Sequence, residues 1–161
     1  MGRIRDMEGS YPGLPAAFHQ TGIGQAAEWS SMNKTVWIVD DDVDVRDVLR
    51  TMLKILGFES REFEDARTPA HALMVEETPS LMIIDINIPV VNGLELLSYI
   101  RRKPRWVHLP VIILSSESDE ERVEQVVRMG ADGYVFKPVT IEELDMAIRS
   151  AVRRRRAVAA Q

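Results

Sequence analysis

Short apolar runs alternate along most of the chain with longer segments in which apolar residues recur at helical spacing. The short runs predict five strands and the longer periodic segments predict five helices. The predicted strands are Thr35 to Val39, Phe58 to Phe63, Leu81 to Ile84, Val111 to Leu114 and Tyr134 to Phe136. Strands that alternate with helices indicate βαβ units and a parallel sheet. The strands are apolar almost throughout, as expected when helices cover both faces of the sheet.

Residues with known preferences for helix ends mark where the predicted helices begin and stop. The first helix follows the spacing of Val45 to Leu56 and ends at Gly57. Thr68 and Pro69 are typical of an N-cap and a first helical residue, and they predict a second helix through Glu77. The other predicted helices are Leu94 to Arg102, Glu120 to Met129, and a last helix from a Thr140–Glu143 capping box to Arg153–Arg156.

The first part of the chain lacks this periodicity. Residues 1–33 are rich in glycine and proline, which predicts a flexible N-terminal extension with one short helical stretch near Gln25 to Trp29. We expect one domain over residues 34–156 and a C-terminal tail at residues 157–161. This length leaves no room for an output domain, so a stand-alone module is expected.

Composition excludes several classes of site. The chain of 161 residues is 45% hydrophobic and 28% charged, which suits one packed domain. It contains no cysteine, so disulfides, thiolate metal sites and cysteine nucleophiles are excluded. No apolar run approaches the roughly 20 residues of a membrane helix, and no secretory signal is evident, so we expect a cytoplasmic protein. A net charge of -5 disfavours nucleic-acid binding, and we expect Arg153 to Arg156 to be a solvated helix end.

The second predicted strand ends in Glu64 and Asp65, which have no obvious partner, and polar or charged residues that could share one site follow the other four strands. They are Asp40, Asp41 and Asp42 after the first strand, Asp85 after the third, Ser115 and Ser116 after the fourth, and Lys137 after the fifth. In an open α/β sheet the ligand crevice lies beyond the carboxyl ends of the strands. A flavodoxin-like strand order, 2-1-3-4-5, would set these four strands side by side and leave the second at the edge.

Asp85 ends the most hydrophobic predicted strand, where an unpaired charge would be costly to bury. Several carboxylates in one crevice repel each other, and a divalent cation relieves that repulsion; all-oxygen ligands suit magnesium. Asp85 could then attack a phosphoryl group and form an acyl phosphate. Magnesium and Lys137 would neutralise the transferring oxygens, and Ser115 could donate a hydrogen bond to one of them. Asp42 and Asp44 are assigned to the start of the first helix, where one of them caps it.

Residues 34–155 resemble the receiver domain of two-component response regulators. The stretches that carry the resemblance are "VWIVDDDVDVR", "LMIIDINIPVVNGLELL", "LPVIILSSES" and "GADGYVFKPVTIEEL". Their combined order and spacing are highly specific. The resemblance implies a doubly wound, five-stranded parallel sheet with five helices.

The family's functional residues transfer position by position. The resemblance implies that Mg²⁺ is bound by Asp40, Asp41, Asp85 and the backbone carbonyl of Asn87, and that Asp85 is phosphorylated. It also implies a switch hydroxyl at Ser115, phosphoryl binding by Lys137, and a cis Lys137–Pro138 peptide. Tyr134 maps to the aromatic residue that rotates inward on activation, although a half-buried strand position is an equally open reading. Ser115 replaces the commoner threonine with only a methyl lost, and Val91 lies in a variable loop.

The resemblance implies a signalling protein rather than an enzyme. A sensor histidine kinase or phosphotransfer protein would phosphorylate Asp85, and the receiver would assist both this step and its own dephosphorylation. Phosphorylation would switch a partner-binding surface formed by the fourth helix, fifth strand and fifth helix. Whether the module binds an output partner or relays the phosphoryl group stays open.

Three other functions are less well supported by the sequence. A haloacid-dehalogenase-type phosphohydrolase needs an early Asp-x-Asp followed by a small residue and threonine, but Val45 and Arg46 follow Asp42-Val43-Asp44. A receiver that signals without phosphorylation would not need the complete acidic site. Nucleic-acid binding through Arg153 to Arg156 lacks a recognition motif.

Overall fold

Five strands alternate with five α-helices in the computed structural model, which describes residues 34–117 and 119–161. The strands are β1 (Thr35–Val39), β2 (Glu59–Phe63), β3 (Leu81–Asp85), β4 (Val111–Ser115) and β5 (Gly133–Phe136). The helices are α1 (Val43–Ile55), α2 (Arg67–Val75), α3 (Gly93–Arg101), α4 (Glu120–Arg128) and α5 (Ile141–Ala159), with a 3-10 turn at Pro104–Trp106 after α3. The extension predicted at residues 1–33, with its helical stretch near Gln25 to Trp29, lies outside the described residues.

The five strands form one parallel sheet in the order β2-β1-β3-β4-β5, which confirms the predicted topology. The pairing aligns Val39 of β1 with Ile84 of β3, and Asp85 with Leu114 of β4. The carboxyl ends of β1, β3 and β4 therefore lie next to each other at one edge of the sheet.

Helices cover both faces of the sheet, as the apolar strands predict. Alternate residues of each strand point to opposite faces. On one face the core joins the strands to α2, α3 and α4, with Leu73, Leu97 and Val126 buried. On the other face it joins them to α1 and α5, with Leu53 and Ile148 buried. This is the doubly wound arrangement.

The helix ends agree with the predicted caps in two cases and differ in a third. Asp42 caps α1 and accepts hydrogen bonds from the backbone N–H groups of Asp44 and Val45. The capping box of Thr140 and Glu143 at the start of α5 is also present.

The predicted N-cap of α2 is wrong. Thr68 lies inside α2, and the N-cap position is Ala66, which has no side-chain acceptor. Asp65 takes over the capping function, because its carboxylate accepts from the Thr68 backbone N–H at 2.7 Å and from the Thr68 hydroxyl at 2.9 Å. These bonds hold the pKa of Asp65 below its usual value, with the Thr68 backbone N–H as the main cause.

The last helix departs from prediction in its length and in the role of one arginine. Helix α5 continues to Ala159, past the expected end at Arg153 to Arg156, so most of the expected tail at residues 157–161 is helical. Arg155 is not solvated, because its side chain is buried and its Nη2 lies 2.7 Å from Oδ1 of Asp132. Asp132 is fully buried and also pairs at 2.7 Å with Nη2 of Arg101 in α3.

This buried ion-pair network lies at the amino ends of β4 and β5. Oδ2 of Asp132 also accepts from the Val111 backbone N–H at 2.9 Å. The carbonyl of Gly130 accepts from Nε of Arg101 at 2.8 Å and from Nη2 of Arg155 at 2.9 Å. Burial lowers the pKa of Arg101 to about 10. The network joins α3, the turn before β5 and the far end of α5. Over the described part of the chain, every helix is too short or too polar to cross a bilayer.

Candidate functional site

Four strand ends carry the predicted site residues to one edge of the sheet. Asp40 follows β1, Asp85 is the last residue of β3, Ser115 is the last residue of β4, and Lys137 follows β5. The backbone N–H of Lys137 donates to the Ser115 carbonyl at 2.8 Å, which joins the ends of β4 and β5.

The centre of the site is an ammonium group between two buried carboxylates. Nζ of Lys137 lies 2.9 Å from Oδ2 of Asp40 and 3.1 Å from Oδ2 of Asp85. Asp40 is fully buried and Asp85 is 3% exposed. The structure therefore brings these three predicted residues into direct contact, across 97 positions of sequence between Asp40 and Lys137.

Backbone groups of the following loops hold the second oxygen of each carboxylate. Oδ1 of Asp40 accepts from the Asp42 backbone N–H at 2.9 Å, and Oδ1 of Asp85 accepts from the Asn87 backbone N–H at 3.2 Å. Nη1 of Arg46 donates to the Asp40 carbonyl at 2.7 Å. Both carboxylates are thus oriented with Oδ2 towards the lysine.

Gly93, the first residue of α3, permits the close packing behind Asp85. A Cβ atom at this position would lie 2.0 Å from the backbone carbonyl oxygen of Asp85. The Gly93 N–H donates to the Ile86 carbonyl at 3.0 Å, and Asn92 caps the helix through a capping box with Glu95. Asn92, Gly93 and Glu95 were not among the predicted site residues. The spacing of Asn92 and Glu95 before an apolar helix could have revealed the cap.

Burial and the contacts between the charged groups act in opposite directions on the pKa values of Asp40 and Lys137. Burial raises the pKa of Asp40 above its usual value, although the hydrogen bond from the Asp42 N–H and the nearby Lys137 ammonium oppose the shift. For Lys137 burial alone would lower the pKa, but hydrogen bonds and charge attraction from Asp40 and Asp85 outweigh it. The pKa of Lys137 is therefore raised, and this residue stays an ammonium group at neutral pH.

The acidic residues fit a divalent cation. One carboxylate oxygen from each of Asp40, Asp41 and Asp85 lies within 4.8 Å of the others, with Asp41 exposed at the mouth of the site. The buried Oδ2 of Asp40 has Lys137 close by but no hydrogen bond of good geometry from any described residue. Carboxylate oxygens are the ligands that Mg²⁺ prefers. Ligation by the Asn87 carbonyl stays a prediction.

Ser115 and Tyr134 lie beside this pocket, in the interior. Ser115 is fully buried while Ser116 is exposed, so the first of the two serines is the one that faces inward. Its Oγ accepts from the Glu117 backbone N–H at 3.0 Å. Tyr134 is 4% exposed, more buried than a half-buried strand position, and its hydroxyl donates to the Glu117 carbonyl at 2.8 Å. The side chain of Tyr134 is therefore already buried in the protein interior in this conformation.

The rival phosphohydrolase motif is not part of the pocket. Asp42 uses its carboxylate to cap α1, and Asp44 is an exposed residue of the first helical turn. The peptide between Lys137 and Pro138 is cis, as the resemblance implied.

Comparison with known proteins agrees with this geometry. A family model described as the response regulator receiver domain matches residues 36–149. The chain belongs to the response regulator receiver family. Receiver domains are signalling domains that bind Mg²⁺ at an acidic pocket, and the acidic cluster of this receiver fits phosphorylation and Mg²⁺ binding.

Relatives of this receiver include both transcription regulators and chemotaxis proteins. It is 32% identical over 123 residues to the phosphate regulon transcriptional regulatory protein PhoB of Pseudomonas aeruginosa, covering 76% of this chain and 53% of that protein. It is 29% identical over 119 residues to the chemotaxis protein CheY of the same organism, covering 74% of this chain and 96% of that protein. This receiver thus spans about half the length of the PhoB relative and nearly all of CheY.

Solved structures with the same fold include a CheY-like receiver domain protein from Methanospirillum hungatei. It is 26% identical, with a TM-score of 0.66, and the match covers 77% of this chain and 97% of that chain. NtrX from Brucella abortus is 27% identical, with a TM-score of 0.70, and the match covers 80% of this chain and 29% of that chain.

Proposed function

We propose that this receiver accepts a phosphoryl group on Asp85 from the phosphohistidine of a sensor kinase or a phosphotransfer protein. The observation that carries the proposal is the position of the Lys137 ammonium between the Asp40 and Asp85 carboxylates, with Asp41 at the mouth of the same pocket. A buried carboxylate beside a fixed cation and a cation-binding cluster suits nucleophilic attack on phosphorus.

In the transfer step an oxygen of the Asp85 carboxylate attacks phosphorus and the phosphorus–nitrogen bond to the histidine breaks. The electron pair of that bond stays on the imidazole nitrogen, which takes up a proton. Lys137 stays protonated and offsets negative charge on the phosphoryl oxygens. Hydrolysis restores the Asp85 carboxylate: water attacks phosphorus, the bond from phosphorus to the aspartyl oxygen breaks with its electron pair left on that oxygen, and inorganic phosphate and a proton are released.

Asp40, Asp41, Asp85 and the backbone carbonyl of Asn87 are the residues that would hold Mg²⁺. The metal would supply positive charge to the oxygens of the transferring group. The all-oxygen donor set and the buried Oδ2 of Asp40 support this assignment. The protein's own contribution is to orient the carboxylates of Asp40 and Asp85 through Lys137 and the loop N–H groups.

We propose that Ser115 and Tyr134 relay phosphorylation to a partner-binding surface on α4, β5 and α5. The Ser115 hydroxyl would turn from the Glu117 N–H to a phosphoryl oxygen. Both Ser115 and Tyr134 hydrogen-bond the backbone of Glu117, in the loop that leads to α4. A change at Ser115 would therefore be felt by Tyr134 through one shared residue.

We further propose a cytoplasmic location and signalling through protein contacts rather than direct nucleic-acid contact by this domain. The net charge of -5 supports the proposal that this domain does not contact nucleic acid directly. Some relatives are named transcriptional regulators, and this chain matches about half of their length. DNA binding that weakens steeply with salt would contradict this part of the proposal.

The test is phosphorylation by a small donor. The protein is incubated with MgCl₂ and acetyl phosphate, and its intact mass is followed for the gain of one phosphoryl group. We expect a single addition that requires Mg²⁺ and is absent in Asp85→Asn. Asp44→Asn, which removes an exposed acid of α1 outside the pocket, is the matched control and should be labelled like wild type. Unchanged labelling of Asp85→Asn would reject Asp85 as the acceptor.

A further inference from the structure

A second cleft lies at the end of the sheet opposite to Asp85. It has a volume of about 440 Å³ and lies between the chain before β3, the chain before β4 and the last turns of α5. Its lining residues are Thr78, Pro79, Ser80, Arg105, Trp106, His108, Leu109, Pro110, Val152 and Arg156. We call this the base cleft. Because the strands are parallel, their amino ends meet at this edge, away from the phosphorylation site.

The base cleft has an apolar floor and a basic rim. Trp106, Leu109 and Val152 are buried, with 2%, 2% and 4% exposure. Arg105 and Arg156 are exposed, and they bring two guanidinium groups to the rim. None of the described residues that line the cleft is acidic. In a protein with a net charge of -5, this local excess of positive charge favours an anion.

One lining residue of the cleft has a buried hydrogen-bond donor without an acceptor among the described residues. The indole Nε1–H of Trp106 is buried and makes no hydrogen bond within residues 34–117 and 119–161. Leaving a buried N–H unpaired costs about 1–3 kcal/mol, so such groups are rare without a function or a bound partner. The guanidinium carbon of Arg105 lies 5.5 Å from the centre of the Trp106 ring, so the unpaired donor and a cation are adjacent.

We propose that the base cleft binds a small organic anion that carries a carboxylate on an apolar body. The carboxylate would face Arg105 and Arg156, and one oxygen would accept from the Trp106 indole N–H. The apolar body would lie on Leu109 and Val152. The cleft volume falls in the range of about 300–1,000 Å³ that small-molecule sites occupy. This site is independent of Asp85 and of the proposed phosphorylation.

The test follows the indole N–H groups by ¹H–¹⁵N NMR of the full chain during titration with 2-naphthoate. The chain has three tryptophans, and Trp106→Phe identifies the indole resonance of Trp106 by its loss. We expect the Trp106 resonance to shift in a saturable manner, while those of the other tryptophans do not. The neutral amide 2-naphthamide is the matched ligand and should give no saturable shift.

Variants distinguish anion binding by the two arginines from nonspecific binding to an apolar surface. The double variant Arg105→Gln/Arg156→Gln should weaken 2-naphthoate binding by about fivefold or more, since exposed ion pairs each contribute up to about 1 kcal/mol. Arg128→Gln, which removes an exposed arginine of α4, is the control and should bind as wild type. Absence of a saturable shift, an equal response to the amide, or unchanged affinity of the double variant would each overturn the proposal.

Discussion

Replacing Asp40 by asparagine should stabilise the metal-free protein while removing its response to Mg²⁺. Asp40 is fully buried, and burial raises its pKa, so its ionised form is disfavoured in the folded state. Asparagine keeps the Oδ1 acceptor for the Asp42 N–H but removes the buried charge. Lys137 would still be paired with Asp85, at 3.1 Å.

The expected change in the free energy of unfolding follows from the distances between Asp40 and its two charged neighbours, Lys137 and Asp85. With an effective dielectric constant of about 20, the 2.9 Å contact of Asp40 with Lys137 is attractive by about 6 kcal/mol. Repulsion from Asp85, whose ligand oxygen lies within 4.8 Å, offsets about 3.5 kcal/mol or more. Desolvation of a buried ion costs several kcal/mol and exceeds the remainder. We therefore expect Asp40→Asn to raise the free energy of unfolding by about 1–2 kcal/mol without metal.

Urea unfolding followed by far-UV circular dichroism, in EDTA and in saturating MgCl₂, measures both effects. Wild type should gain about 2.7 kcal/mol at a Mg²⁺ concentration of 100 times Kd, and Asp40→Asn should gain little. Asp41→Asn is the matched control, since Asp41 is exposed. It should also lose the Mg²⁺ gain but change metal-free stability by less than about 0.5 kcal/mol. An Asp40→Asn variant that is less stable in EDTA, or that keeps the Mg²⁺ gain, would refute this reasoning.

Three further predictions concern the same pocket, its support and the buried ion pairs. Because the pKa of Asp40 is raised in the folded state, the folded state takes up a proton at a higher pH than the unfolded state does. As pH falls through that pKa, the metal-free stability attributable to Asp40 should rise and the affinity for Mg²⁺ should fall. Comparison of wild type with Asp40→Asn in pH-dependent unfolding and in calorimetry measures both effects. Gly93→Ala should cost about 3 kcal/mol in urea unfolding, since its Cβ would lie 2.0 Å from a backbone oxygen, whereas Asn92→Ala should cost only the cap, about 1 kcal/mol. Asp132→Ala should cost about 3–5 kcal/mol because it leaves the guanidinium of Arg155 buried without its partner, and a loss below about 1 kcal/mol would contradict that view.

Sequence patterns were sufficient to predict the sheet and the charged residues at the centre of the site. Apolar runs and helical spacing located all five strands and five helices, and strand ends placed Asp40, Asp85 and Lys137 at one edge. These inferences rest on local periodicity and on the general rule for parallel sheets, so neither needs side-chain detail.

The features that the sequence did not reveal depend on contacts between distant residues. Arg155 is drawn into the interior by Asp132, 23 positions away, and nothing local separates it from its three neighbouring arginines. Asp65 caps α2 in place of Thr68 because its side chain reaches three residues forward, and a Thr-Pro pair gave a stronger local indication of a helix start. The burial of Trp106 and the base cleft arise where the 3-10 turn meets α5.

We propose that Asp85 is the side chain that becomes phosphorylated. Acyl phosphates are reduced by borohydride, which converts the modified aspartate to homoserine. The protein should be treated with acetyl phosphate and MgCl₂, reduced, digested, and sequenced by tandem mass spectrometry. We predict homoserine at position 85, and none there when Mg²⁺ is replaced by EDTA. Homoserine at Asp40, Asp41 or another aspartate, with position 85 unmodified, would contradict it.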